Sequence, residues 1–354
     1  MKYVNADQQL NKINKNTGKK YKTITFNCEK NRFNTWVGLK LMIKYKGEDI
    51  EFVNKEHIKI LEDHLNETQN STADSCFIWE KDLMSILVKM KDTEKVQLLN
   101  GEFYNKKELL SKMYSDGFYY GELGKLALSS SAIKSLLDSP KAYKRSLYFK
   151  SDSGVFKTGR LIHLAALEPD KIDSLCHIVN CKTYACKEYK EKVKEVGSPN
   201  FVFTIKEYDK AMYLVDALLQ NDVWQDFTRN AKFEIPGFDI VNGHPFRAKA
   251  DILSDDTMGD LKTTSDLKAF KYASKKYSYD VQVYLYCNIF KRHYKDFMFF
   301  ALDKSTGDLG IYDISESFYD SGKDKVLYAI DIYEKYFRDE EEDLNNYIIK
   351  GTLE

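Results

Sequence analysis

HPFRAKADILSDDTMGDLKTT, residues 244–264, reads as two β-strands joined by a polar turn. In the first strand Phe246, Ala248, Ala250 and Ile252 alternate with Arg247, Lys249 and Asp251. Strand geometry sends these two sets to opposite faces. In the second strand Asp260, Lys262 and Thr264 share a face opposite Leu261 and Thr263. If the strands pair across the SDDT turn, Asp251, Asp260 and Lys262 converge on one side of the sheet. Two carboxylates so close repel each other, and a hard cation such as Mg²⁺ relieves the repulsion by binding their oxygens while keeping several waters. A lysine beside such an ion can orient a water for in-line attack on phosphorus and offset charge building on the phosphate. D-(x)8-D-x-K on adjacent strands therefore holds the main parts of a metal-assisted phosphodiesterase. Taken alone, D-x-K is common, and the competing reading is a surface hairpin whose charges are simply solvated.

The flanking sequence gives this hairpin a setting. FEIPGFDI precedes it as a further strand, and Glu234 there is either another acidic member of the site or a structural ion-pair partner. Upstream, LSSSAIKSLLDSPKAYKRSLYF carries serines suited to capping and Pro140 opening a helical turn. KTGRLIHLAALEPD continues as a helix up to Pro169, with Gly159 and His163 four residues apart on one face. A neutral imidazole there can complete a metal site from the opposite wall, although a lone helical histidine is more often a satisfied core residue. A long amphipathic helix covers about Lys206 to Leu219. Downstream, DLKAFKYASKKY and YDVQVYLYCNIFKRHY are helical, and Gln282 and Tyr286 share a face of the second. They are placed to hydrogen-bond the lysine or a phosphate, or, for Tyr286, to pack in the core. FMFFALDKSTGDLGIYDIS is a hairpin, and a long helix starts near Phe318.

Residues 1–115 read as mixed α/β, with strands at TITF and GEDIEFV, helices from about Lys55 to Leu65 and Glu80 to Lys91, and a hairpin at VQLLNGEFYN. No chemistry-bearing motif lies there. The net charge of zero hides a basic start, in which Lys2, Lys12, Lys15, Lys19, Lys20, Lys22, Lys30, Arg32, Lys40, Lys44 and Lys46 face only Asp7 and Glu29, and an acidic end over 339–354. A basic segment can attract phosphates, but a charge run is more often a solvated face. Apolar residues at 43% support a sizeable core and exclude wholesale disorder. No stretch approaches the roughly 20 apolar residues needed to cross a bilayer, and the start has no signal-like apolar region, so the expectation is a soluble intracellular protein without a membrane partner. Cys176, Cys181 and Cys186 sit five apart, matching neither a zinc pair nor a disulfide framework, and with Cys28, Cys76 and Cys287 they read as ordinary reduced thiols.

The ordered set LSSSAIKSLLDSPKAY, GRLIHLAALEP, Glu234, FRAKADIL, GDLKTT and Gln282-x-x-x-Tyr286 resembles the RecE-type exonuclease (exodeoxyribonuclease VIII) domain of phage or prophage type. That family belongs to the PD-(D/E)XK superfamily, with the RecB-type nuclease domains and, more distantly, lambda exonuclease. The resemblance implies an α/β (α+β) chain with a restriction-endonuclease-like core, a central mixed sheet flanked by helices. The domains expected are a mixed α/β N-terminal extension over 1–116, the exonuclease domain over 117–340 and an acidic tail over 341–354. It implies His163, Asp251 and Asp260 as metal ligands, with the Leu261 carbonyl as an additional one, and Lys262 as the catalytic lysine. Glu234, Gln282 and Tyr286 would be accessory, and Arg247 or Lys249 would meet phosphates. The implied cofactor is Mg²⁺, with Mn²⁺ left open, and neither a nucleotide nor an iron–sulfur cluster, because the cysteines lie between the motifs instead of flanking them. The implied activity is hydrolysis of one strand of linear double-stranded DNA from its 5′ ends, leaving 3′ single strands for recombination. Implied partners are duplex ends, a single-strand annealing recombinase and further copies in a ring-like homo-oligomer, in the cytoplasm (the host's, if phage-encoded). A Cas4-like or structure-specific endonuclease of the same superfamily, and a catalytically quiet DNA-binding or partner-recruiting module, are the competing functions. Ala250 stands where the superfamily's nominal proline would precede the first Asp.

Overall fold

The computed structural model describes residues 2–30, 36–37, 39–53, 55–70, 75–92, 95–149, 157–338 and 343–348. Arg32 of the basic start, part of the polar break at 71–74 and most of the acidic 341–354 segment lie outside them. The chain forms two compact units, Met1–Val96 with Phe103–Ser111, and Gln97–Glu102 with Lys112–Glu354. Among the described residues no helix is long and apolar enough to cross a membrane.

In the first unit Lys2–Asn5 pairs in parallel with Leu41–Tyr45, which forms an antiparallel hairpin with Glu48–Phe52. Thr23–Asn27 pairs with Ser75–Trp79. Helices Lys55–Thr68 and Glu80–Asp92 follow the expected spans. Alternation on the strands and 3.6-residue spacing on the helices bring Ile24, Leu41, Ile43, Phe52, Leu61 and Ile78 into one core. Cys28 and Cys76 are joined as a disulfide there, with Cα atoms 5.6 Å apart. This corrects the reading of all six cysteines as reduced thiols. The antiparallel register that sets Phe26 opposite Cys76 is a long-range pairing, invisible in cysteine spacing. Cys176, Cys181, Cys186 and Cys287 are free.

The second unit is built on a five-stranded mixed sheet. Its strands, in spatial and chain order, are β1 (Lys232–Val241), β2 (His244–Leu253), β3 (Met258–Thr264), β4 (Phe297–Asp303) and β5 (Leu309–Asp313). All neighbours run antiparallel except β3 and β4, which are parallel. A parallel pair needs a crossover, and the helical segment between them supplies it. FMFFALD is buried along nearly its whole length because β4 is covered on both faces. Phe297 and Phe299 enter one apolar cluster, Phe300 and Leu302 the other.

The first cluster is closed by α1 (Ser130–Asp138), α2 (Pro140–Tyr148), α5 (Tyr279–Phe290) and α6 (Glu316–Tyr333). The second is closed by α3 (Lys157–Leu167) and α4 (Ile205–Leu219). Ser129 and Ser139 cap α1 and α2, accepting from the backbone N–H groups of Ala132 and Ala142, and a capping box at Thr204 and Glu207 starts α4. Each fully buried Phe or Leu in these layers contributes about 1.5–3 kcal/mol. Helix α5 is buried almost all round, as expected of a helix trapped between sheet and α6. It ends at Phe290, where Lys291 turns left-handed (φ 55°), so the KRHY stretch expected to be helical is not part of it.

Helix α6 crosses α5 at Gly322. A Cβ there would stand 2.1 Å from the Asp280 carbonyl oxygen. Gly322→Ala is therefore expected to force the two helices apart and cost about 1–3 kcal/mol, as overpacking does. Because α5 carries Gln282, a thermal melt of the variant should show a lowered midpoint together with loss of whatever activity the site supports.

Candidate active site

Strands β2 and β3 pair only at Leu253↔Met258 and Ile252↔Gly259. Beyond that, β3 takes its partners from β4, over seven parallel pairs. The Leu261 N–H is met by a side chain in place of a β2 carbonyl: it donates to Asp251 Oδ2 at 2.9 Å. Asp251 is thus fixed by the strand that carries Asp260 and Lys262. Ile252 packs in the second cluster while Phe246, Ala248 and Ala250 pack in the first, so the single apolar face expected of β2 does not extend past Asp251.

Opposite Asp251 stands Glu234. The β1–β2 ladder pairs Phe233 with Ile252 and Ile235 with Ala250, and Glu234 between them has φ 52°. A left-handed glutamate inside a strand is costly and persists only where its surroundings impose it. The conformation carries its carboxylate to His163 Nδ1 at 3.4 Å and Lys249 Nζ at 3.3 Å. His163 reaches down from α3 and sets Nε2 2.7 Å from Asp251 Oδ2. One donor atom each from His163, Glu234 and Asp251 falls within 4.8 Å of the others.

Asp260 lies on the other side of Asp251. Its Oδ2 accepts from the Lys262 ammonium and its Oδ1 from the Gln282 side-chain amide. Gln282 therefore holds the carboxylate and not the lysine. Tyr286, on the same helix face, is buried in the apolar cluster with its ring 6.1 Å from that of Phe290, and burial, with Tyr119, Asp251 and Asp260 nearby, raises its hydroxyl well above the usual phenol range. Leu261 is buried and its peptide N–H is engaged as above. Lys249 is consumed by Glu234 and by Asp116, 2.9 Å away, whereas Arg247 lies over the Tyr119 ring at 4.6 Å with its Nε buried and unpartnered.

The charges at the site oppose one another. Burial, and then the Asp251 carboxylate, raise Asp260 to about 6 against the pull of Lys262. The same two causes raise Glu234 to about 7. Burial would raise Asp251 as well, but His163, Lys262 and the Leu261 N–H hold it below the usual carboxylate range. At His163 burial disfavours the imidazolium, yet Asp251, with Glu234 and Asp260 behind it, brings it up to about 9. Burial likewise opposes the Lys262 ammonium, and Asp260 and Asp251 outweigh it, so Lys262 stays charged. An imidazole and several crowded carboxylates form a donor set that fits a hard or borderline divalent cation.

Compared with known families, residues 129–345 match the profile of the PDDEXK-like domain of unknown function (DUF3799), more than half of the chain. The chain belongs to this family. None of the curated proteins matches it. Among solved structures, a Eubacterium rectale protein provisionally named an exonuclease is 13% identical, with TM-score 0.48, and the alignment covers 68% of this chain and 95% of that one. SSO0001 is 15% identical, with TM-score 0.24, covering 56% of this chain and 85% of its own.

In this PDDEXK-like domain α3 is anchored through its first turn. Gly159 is where the helix meets β3: a Cβ would stand 2.8 Å from Thr263 Oγ1, so the space that its missing side chain leaves is filled by the strand. Lys157, buried at the helix start, donates to Tyr189 Oη at 3.1 Å and pairs with Glu207 at 3.3 Å. The rings of Tyr184, Tyr189 and Phe203 lie about its ammonium at 4.6, 5.1 and 5.0 Å. Sequence reasoning missed Lys157, Asp116 and Tyr119. Asp116 and Tyr119 flank the 116/117 boundary expected from the resemblance, and nothing in YSDGFYY marks a role before Lys249 and Arg247 are seen to reach it.

Two outcomes follow from this geometry. A cation must displace protons here, so its affinity should rise with pH through the window from about 6 at Asp260 to about 9 at His163. Calorimetric titration with Mn²⁺ in buffers of different ionisation heat would show the proton release, and a pH-independent affinity would contradict the site. Glu234→Gly removes a left-handed glutamate and a repelling carboxylate; in EDTA it should stabilise the fold by about 1 kcal/mol while weakening metal binding. A melt with and without Mn²⁺ reads both effects.

Proposed function

We propose that this chain is a divalent-metal-dependent deoxyribonuclease, acting as an exonuclease on one strand of linear duplex DNA in the 5′→3′ direction and leaving 3′ single strands. The observation that carries the hydrolytic part is the pairing of Lys262 and Gln282 on Asp260, one strand away from the His163, Glu234 and Asp251 donor cluster. Such a set offers ligands and a fixed cation at one spot, which is what phosphodiester hydrolysis needs.

In this reading His163, Asp251 and Asp260 hold the cation, with Glu234 beside them and the Leu261 carbonyl available from the same strand. When bound, Mg²⁺ or Mn²⁺ supplies Lewis acidity to the phosphoryl oxygens. Lys262 remains an ammonium and so acts by electrostatics, orienting the attacking water and neutralising charge on the phosphate in the transition state. Gln282 leaves Asp260 one rotamer by donating to the oxygen that Lys262 does not use. Lys249 holds Glu234 in place and favours its ionised form against burial and Asp251, and Arg247, which pairs with no carboxylate among the described residues, is the residue on β2 suited to a backbone phosphate. The spacing along the strand puts Arg247 about 13 Å from Asp251, at roughly 3.3 Å per residue.

Strand polarity, a requirement for duplex ends, a ring-like assembly and a recombinase partner in a phage or prophage setting rest on the resemblance of the motif series to RecE-type exonucleases. Those features complete the proposal without adding to its chemistry.

The test is digestion of linear and covalently closed circular duplexes, labelled at either end, with Mg²⁺. Rapid release of 5′ label from linear DNA alone is expected. EDTA should abolish it, and Lys262→Ala should lower turnover by at least about 10²-fold, as removal of a transition-state donor does. Cleavage of circles would move the chain to the endonuclease branch of the superfamily. Binding without cleavage under either metal would leave a DNA-binding module.

A further inference from the structure

Three ammonium groups lie at or beside the site, Lys262 on β3, Lys325 on α6 and Lys134 on α1, and the first two are neutralised. Lys262 is held by Asp260, and Lys325 of α6 lies 2.7 Å from Asp280, which also accepts from Ser321 at 2.7 Å. Lys134 of α1 makes no ion pair with any described residue. Its ammonium lies 5.2 Å from the centroid of the Tyr279 ring, and Lys262 lies 5.1 Å from the centroid of that same ring.

The helix register puts it there. Ser129 caps α1, Ile133 and Leu136 take the core positions, and Lys134 follows Ile133 on the flank that faces the start of α5. Lys134 is half-buried, and burial together with the nearby Lys262 lowers its pKa to about 8, against the attraction of Asp260 and Asp280. A half-buried cation next to another cation is unfavourable in the free protein, and one aromatic face offsets little of that cost. The arrangement becomes favourable once an anion enters between the two ammoniums.

We propose that Lys134 is a phosphate-binding residue, pairing a non-bridging oxygen of the nucleic-acid backbone next to the group engaged by Lys262. The proposal rests on the reading that a nucleic-acid strand enters this site. It makes α1 part of the substrate-binding surface, with the Tyr279 ring beside both ammoniums. A lysine suits this task because its ammonium meets a phosphate oxygen as a point charge without demanding two-pronged geometry.

The test is the salt dependence of binding to a short fluorescent linear duplex, with Ca²⁺ replacing the catalytic metal so that no cleavage is needed. Each phosphate neutralised contributes about 0.9 to the slope of log affinity against log salt. Lys134→Met, which keeps the aliphatic stem, should flatten the slope by about that amount, and Lys134→Arg should restore it. Thermal midpoints of both variants should stay near that of the unaltered chain, which separates a binding role from a packing one. With Mg²⁺, Lys134→Met should lower turnover at saturating DNA about 10-fold or more if the bound phosphate is the reacting one. An unchanged slope in Lys134→Met overturns the proposal while leaving the nuclease reading intact. Tight binding with the flattened slope but no cleavage by the unaltered chain supports Lys134 and overturns the nuclease reading. Failure of the unaltered chain to bind DNA overturns both.

Discussion

One oxygen of Asp251 accepts from the Leu261 N–H at 2.9 Å and meets His163 Nε2 at 2.7 Å. That double use joins helix α3, remote in sequence, to strands β2 and β3. It is possible only because β2 and β3 stop pairing after Ile252 and Gly259, which leaves the Leu261 N–H without a backbone acceptor. A backbone donor in a buried strand must find a partner. Here the partner is a carboxylate, so satisfying the sheet also fixes the acid. Asp260 is then positioned beside Asp251 by the parallel register of β3 on β4. The same register sets Lys262 opposite Ala301, a residue too small to displace it.

The remaining features of the site manage the cost of this crowding. Buried acids within reach of one another cannot all ionise cheaply, and the raised pKa values of Asp260 and Glu234 express that. Lys262 and Gln282 partner Asp260, His163 partners both Asp251 and Glu234, and Lys249 partners Glu234, while Asp116 takes a share of Lys249. The backbone of Glu234 absorbs another part of the cost as a left-handed residue in a strand. Polar groups held this way gain fixed orientation at the expense of stability, which is the exchange that functional sites make.

Much of this was legible in the sequence because it follows from period and spacing. Alternation in FRAKADIL and GDLKTT placed Asp251, Asp260 and Lys262 on common faces, and the helix repeat linked Gly159 to His163 and Gln282 to Tyr286. The continuous apolar run of FMFFALD likewise marks a strand buried on both faces. What period could not give is which partner each side chain chooses. Gln282 takes Asp260 and not Lys262, and Lys249 takes Asp116 and Glu234. The Cys28–Cys76 bond, the left-handed Glu234 and the aromatic surround of Lys157 are also products of distant segments meeting. None has a local signature.

The parallel pairing of β3 with β4 has a consequence for the order in which the chain is made. Met258–Thr264 has no lasting neighbour on that side until Phe297–Asp303 exists. Domains fold as units as they emerge from synthesis, and long-range parallel pairing is slow to form. The register that sets Asp260 and Lys262 against their neighbours is completed only once Phe297–Asp303 has been made. The pairing thus ties completion of the site to a segment made more than thirty residues after Lys262.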